Sequence, residues 1–272
     1  MIPLDDRRRE LEMAKDPTTL PGVLEQLASG ERIDVRRAVA HNPNAPSEVL
    51  KQFADDEDGA VRCGVAGNPN TPSEVFAQLA KDKNEYVRWR VAFNSKTLPE
   101  ILEQLAKDPE ILVRREVAHN KNTSSKVIEQ LAKDSNDDVR FYVASSRYTS
   151  PEVLARLADD EEKDVRRAVA SNPNTSPEVL ARLADDEEKN VRCGVAYNLN
   201  TSPEVLAQLA NDEDKCVRCR VASNPNTPSE ILEQLAKDKA GVVLEAVVHN
   251  QRTPHEVFVR LLCDNRSRIR IE

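Results

Sequence analysis

Glycine and aromatic side chains are scarce in this chain: 7 glycines in 272 residues, and 4% aromatics. No G-x-G-x-x-G run and no P-loop can be found, so the glycine-built phosphate cradles are excluded. The acidic turns lack the glycine and the spacing of an EF-hand, which removes that class of calcium site. The N-terminal MIPLDDRRRE has no apolar signal core, and no apolar run approaches the ~18 residues of a membrane span. The 5 cysteines are an odd number, and Cys63, Cys193 and Cys219 share one repeat phase. They do not form a secreted disulfide framework, so a cytoplasmic protein off the membrane is expected. Cys216 and Cys219 form a C-x2-C, but one pair supplies only two ligands, and no metal or cofactor is expected from it. His41, His119, His249 and His255 are mostly distributed one per distant unit, no Ser–His–Asp grouping can be assembled, and a noncatalytic protein is expected. Positive charge is also short: the net charge of −8 disfavours generic attraction to nucleic acid.

What the chain has instead is a strict period. Val35, Val61, Val87, Val113, Val139, Val165, Val191, Val217 and Val243, then Ile269, follow one another at a step of 26 residues without insertion or deletion. A period of this size marks a solenoid, whose units bury their apolar faces only against neighbours. The expectation is a single array over 1–272: a degenerate N-terminal cap at 1–19, regular repeats at 20–264, and a partial C-terminal repeat at 265–272.

Each unit reads as two short helices. Val153, Leu154, Leu157 and Ala158 form an apolar stripe at helical spacing, and Val165, Val169 and Ala170 form a second. Pro marks the first helical position in Ser150-Pro151-Glu152, where Ser is expected to cap, and in Thr71-Pro72-Ser73-Glu74, where Thr and Glu are expected to close a capping box. The acidic turn Asp159-Asp160-Glu161-Glu162 is placed to cap the second helix, which ends at Asn172-Pro173.

Two polar positions recur as strictly as the valines. Asp56, Asp82, Asp108, Asp134, Asp160, Asp186 and Asp212 each precede by six an arginine, Arg62 to Arg218, whereas six after Asp238 stands Leu244. Asparagine recurs at the helix exit from Asn42 to Asn250, with Ser146 as the one substitution. Such rows read as a charged ladder and as satisfied turn backbone rather than as ligand sites. Leu244 interrupts the ladder, and Ala240-Gly241 weaken the helix start beside it, so fraying is expected there.

The segment SPEVLARLADDEEKDVRRAVASNPNT (150–175) resembles the bacterial leucine-rich repeat variant, and its D-x5-R with V-R is similar to HEAT repeats; together the likeness covers about residues 20–264. The resemblance implies a right-handed superhelix of paired short helices without sheet, used for macromolecular binding. The variant family's usual unit is a little shorter with a 3₁₀ second helix, whereas 26 residues accommodate a longer α-helical one. One member carries an iron–sulfur cluster on N-terminal cysteines; residues 1–62 here hold none, so that cofactor does not carry over.

With the second-helix valines turned to the first helix, a turn of about 100° per residue points the positions of Asp138, Phe141 and Ser145 the opposite way. By the HEAT resemblance this is the concave side. That row varies from unit to unit, and its aromatics are uneven: Tyr86, Trp89, Phe93, Phe141, Tyr142 and Tyr148 are six of the ten in the chain, interleaved with Arg90, Arg115, His119 and Arg147. Aromatic plus Arg is the composition of binding hot spots; the alternative is that these side chains fill space between neighbouring second helices. The expected function is a noncatalytic scaffold binding a protein or peptide partner on this patch. Nucleic-acid binding by the same residues, and a cofactor-carrying or enzyme-associated repeat protein, stand as alternatives.

Overall fold

Between residues 47 and 249 each 26-residue unit folds into a seven-residue and a nine-residue α-helix, since the apolar positions recur at helical spacing and turn signals interrupt them. The computed structural model describes residues 4–264, within which there are twenty helices, α1 (Leu4–Lys15) to α20 (His255–Asp264), and no strand. The fold is an α-solenoid of about ten two-helix repeats. The expected partial repeat at 265–272 lies outside the described residues. The second helix of each repeat is α-helical, as in α13 (Lys163–Ser171). The degenerate N-terminal segment forms α1, which packs on α3 (Ile33–His41) as one second helix packs on the next.

Contacts group the chain into two compact units, residues 1–131 and 132–272. In the first, α3, α5 (Gly59–Gly67), α7 (Glu85–Phe93) and α9 (Ile111–His119) pack in succession; in the second, α11 (Asp137–Ser145), α13, α15 (Lys189–Tyr197), α17 (Lys215–Ser223) and α19 (Gly241–His249) do. Between second helices and the shorter first helices, such as α12 (Pro151–Leu157) and α14 (Pro177–Leu183), lies the core. Val165, Val169 and Ala170 are buried there with Leu154 and Leu180. Phe53 and Phe76 take leucine positions in that core and are buried.

The recurrent polar residues join each repeat to its neighbour. The Asn172 amide donates to the carbonyls of Ala144 (2.6 Å) and Ser146 (3.0 Å), while its side-chain oxygen accepts from the Asn174 backbone N–H (2.9 Å). A second amide, Asn174, donates to Arg147 and Thr149 carbonyls. The C-terminal carbonyls of one second helix, left without intrahelical partners, are thus capped by the next repeat. The arginine ladder works in the same direction. Arg166 Nε donates to Asp186 (2.7 Å), twenty residues ahead, and its Nη1 donates to the main-chain carbonyl of Asp160, six behind. Sequence spacing paired each Arg with the Asp six before it; the carboxylate that it binds belongs to the following repeat. Leu244 has no guanidinium to contribute, yet the Asn250 amide still bridges Ala222 and Asn224, so the second ladder continues where the first stops.

The threonine capping boxes do not form. Thr71 Oγ donates backwards to the Val65 carbonyl (2.5 Å), and Thr175 does the same to Val169, so each hydroxyl closes the end of the preceding helix instead of opening the next one. Where Ser precedes Pro the cap is made at two of the three helices: Ser176 and Ser202 each accept a long bond (3.4 Å) from the third residue of the helix, whereas Ser150, expected to cap α12, makes no side-chain cap bond. Acidic capping of second helices is clearest at Asp58, which accepts from the Ala60 and Val61 N–H groups and binds Arg37 through both oxygens.

Replacing Asn172 by Ala leaves buried carbonyls of the preceding repeat unsatisfied, so the variant should lose about 1–3 kcal/mol, read as a lower denaturation midpoint. The Arg37 guanidinium and the helix-end N–H groups pull the Asp58 carboxyl down to about 2, below the value of about 4 for an unfolded Asp. Its contribution is complete above the unfolded value and disappears as pH falls through the folded one. The stability difference between the wild type and Asp58→Asn, followed by denaturation against pH, should therefore be constant near neutrality and shrink from about pH 4 to about pH 2.

Candidate partner-binding site

The second-helix surface follows a register of twenty-three residues. The last outward position of one second helix faces a position on the next helix that is small in most repeats: Ala38, Gly64, Ala168, Gly194 and Ala246. A Cβ on Gly64 would meet the His41 ring at 2.7 Å, and one on Gly194 would meet Ser171 Oγ at 3.0 Å and Ala170 Cβ at 2.9 Å. Large and small thus alternate across the seam: His41 opposite Gly64, Ser171 opposite Gly194, and Gly67 opposite Arg90, whose side chain lies over it. When both members are large they cannot both fit between the helices, and side chains spill into solvent.

In the first unit this happens at Phe93 and Glu116. Phe93 is 55% exposed and Tyr86, at the start of α7, 57%. Trp89 between them is half-buried, its ring 5.9 Å from that of Phe93, and its indole Nε1 donates to Glu116 Oε2 at 2.9 Å on α9. The Arg90 guanidinium stands 5.0 Å from the Trp89 ring centre, a cation–π placement. No carboxylate among the described residues pairs with it. Arg115 is half-buried on α9, and His119 ends that helix with part of its ring against the protein and part open to solvent. Burial pushes the Glu116 carboxyl above its usual range and outweighs the Trp89 bond and the Arg115 charge, which draw it down. Desolvation, and then the Arg115 charge, hold the His119 imidazole below the ordinary histidine value. Tyr86, Trp89, Arg90 and Phe93 share α7, with Arg115 and His119 on the helix packed beside it.

The remaining candidates belong to the second unit. Phe141 and Tyr142 on α11 are half-buried and meet edge to face, with ring centres 5.6 Å apart. Arg167 of α13 lies 5.9 Å from the Phe141 ring centre. Arg147 and Tyr148 lie in the turn after α11, both exposed.

Sequence reasoning missed Glu116, and in the second unit Tyr197, Arg220 and Arg167. Glu116 and Arg220 each stand where most repeats place alanine or glycine, a departure whose meaning depends on the seam register that the structure supplies. All 5 cysteines are free. Among the described residues no helix is long and apolar enough to cross a membrane, and no three metal-ligating side chains converge.

A family model described as leucine rich repeat variant matches residues 33–58, 164–188, 190–214 and 217–239. No curated protein matches the chain. Among solved structures, one described as a leucine-rich repeat variant with a novel repetitive protein structural motif is 29% identical, over 74% of this chain and 80% of its own, with a TM-score of 0.58. A structural-genomics target from E. coli is 17% identical over 89% of this chain and 94% of its own, with a TM-score of 0.44. Importin beta is 13% identical over 95% of this chain and 38% of its own, with a TM-score of 0.34.

Trp89 is the only tryptophan, so its fluorescence reports on Glu116 directly. Emission should titrate with a midpoint above the usual carboxylate range, and Glu116→Gln should abolish that transition. The raised carboxyl contributes stability that is complete below the unfolded Glu value and is lost as pH rises through the folded one. Glu116→Gln should accordingly gain on the wild type as pH rises towards neutrality, measured by denaturation at several pH values.

Proposed function

We propose that this chain is a noncatalytic scaffold of the leucine-rich repeat variant kind, built of HEAT-like helical repeats, whose second-helix surface captures a protein partner. The partner docks on α7 and α9 as an extended peptide or a helix. The observation that carries this reading is the Trp89–Glu116 hydrogen bond. It fixes a half-buried indole on one helix to a carboxylate on the next, so the ring is held in place before a partner arrives and little rotamer freedom remains to be lost on binding. Phe93 and Tyr86 flank it and offer apolar surface to cover. Arg90, stacked on the indole without a carboxylate partner among the described residues, supplies a cation for an acidic group.

Residues of this kind each contribute about 2 kcal/mol or more at interface centres. Trp89→Ala with Phe93→Ala should therefore weaken capture of partners from lysate by about a hundredfold or more while circular dichroism stays unchanged. Because losing the indole also strands Glu116, Tyr86→Ala with Phe93→Ala provides a variant in which that bond survives. Undiminished capture by both would remove the reading. If the partner were a nucleic acid, affinity would fall steeply on a log–log plot against salt, whereas an aromatic-anchored peptide should be much less sensitive.

A further inference from the structure

The seam register generates a second overfilled pair, in the other unit. Tyr197 ends α15, and Arg220 of α17 stands opposite it, with the guanidinium carbon 5.5 Å from the ring centre. Arg220 occupies the repeat position of Arg90, and the ring it covers is the counterpart of Gly67. The crowding leaves Tyr197 62% exposed, and Leu199, two residues further on where four other repeats place proline, is also 62% exposed. One open groove of about 640 Å³ runs across α13, α15 and α17; Arg167, Ser171, Tyr197 and Arg220 line it, with Asp164 at one side. Gly194 forms part of its wall, and any side chain there would collide with Ala170 and Ser171.

The charges in this groove are not those of the rest of the chain. Most repeat arginines are bound to a carboxylate twenty residues ahead, as in Arg166–Asp186, Arg192–Asp212 and Arg218–Asp238. Arg167 is held by Asp164 at 3.1 Å, on its own helix. Arg220 makes no ion pair or hydrogen bond with a described residue, so its N–H groups are available to an incoming acceptor while its flat face rests on Tyr197. Two arginines and one aspartate leave the groove one positive charge in surplus, in a molecule with a net charge of −8. A monoanionic carboxylate matches that surplus. A phosphate carries nearly two negative charges and would also face Asp164, and a polyanionic strand would meet the acidic chain as a whole.

We propose that this groove is a docking site for an acidic peptide segment of a protein partner: an Asp or Glu carboxylate seats on Arg220 beside Arg167, and an adjoining apolar side chain covers Tyr197 and Leu199. Guanidinium takes a carboxylate in a forked pair of hydrogen bonds. A small free acid would fill the charged part and leave the exposed ring and leucine in water, which is why the occupant carries apolar groups on the same chain. The site uses none of the residues of the α7–α9 surface, so either can fail without the other.

The test is fluorescence anisotropy with labelled pools of short peptides, randomised at hydrophobic flanking positions and fixed at the centre as Asp, Asn or phosphoserine, added to the full chain. The Asp pool should bind, and the Asn pool should bind about tenfold more weakly or worse. Arg220→Ala should reduce Asp-pool binding by a similar factor. Arg220→Lys, which keeps the charge but not the fork, should restore only part of it, and Tyr197→Ala should weaken all the pools. Arg156→Ala, an exposed arginine of α12 outside the groove, should change nothing, and Arg90→Ala is measured beside it to detect peptide held on the α7–α9 surface instead. Equal binding of the Asp and Asn pools, indifference to Arg220→Ala, or absence of binding by any pool would each overturn the proposal. Stronger binding of the phosphoserine pool would overturn the assignment of a carboxylate, and loss of binding in Arg90→Ala would transfer the peptide to the α7–α9 surface.

Discussion

The structure depends on an asparagine amide reaching back one repeat. A nine-residue helix leaves its last carbonyls without partners, and in this chain the missing donor arrives one period later: Asn68 for Ala40 and Asn42, Asn198 for Ala170 and Asn172, Asn224 for Ala196 and Asn198. These amides are buried with the carbonyls they serve, so an unmade bond cannot be replaced by water at small cost. A repeat is therefore polar-satisfied only when its successor is docked, and apolar burial and hydrogen bonding require the same neighbour. The unbroken 26-residue step follows from this. One inserted residue would carry each amide past both of its acceptors, and the Arg–Asp contacts would move out of register with it.

The period, the two helices per unit and the residues of the core were legible because they are written in local spacing: Val165 and Val169 four apart, proline at a first helical turn, asparagine at an exit. What could not be read were interactions whose partner is equally near in two directions. Each Arg has an Asp six residues behind and another twenty ahead, and only the rotation of one helix against the next selects the carboxylate ahead and the carbonyl behind. The Thr hydroxyls were misassigned for a related reason. Thr71 is close in sequence both to the helix it precedes and to the one it follows, and the turn brings it to the Val65 carbonyl. At the candidate site the aromatics of α7 were apparent from composition, but Glu116 was not, since a lone Glu on a helix reads as solvated until its twenty-three-residue partner is known.

That register gives the variable face a grammar of pairs. An outward residue and the one that covers it are chosen together, since the seam has room for about one large side chain. Small opposite large keeps the helices close and the surface smooth, as at Ser171 and Gly194. Large opposite large is what natural packing avoids, because overfilled interiors strain; on an open seam the excess turns outward instead and becomes exposed aromatic surface. Phe93 with Glu116 and Tyr197 with Arg220 are such pairs, and both arrangements bring an arginine against an aromatic ring.

The two differ in what holds the ring. Trp89 is tied to a carboxylate on the next helix, so its orientation is set by the scaffold and a partner must fit it. Tyr197 is covered by a guanidinium that makes no ion pair or hydrogen bond with a described residue, so the N–H groups beside that ring are not tied to the scaffold. Because the asparagine and arginine bonds that stack the repeats take no part in either surface, substitutions on the variable row leave that ladder as it is.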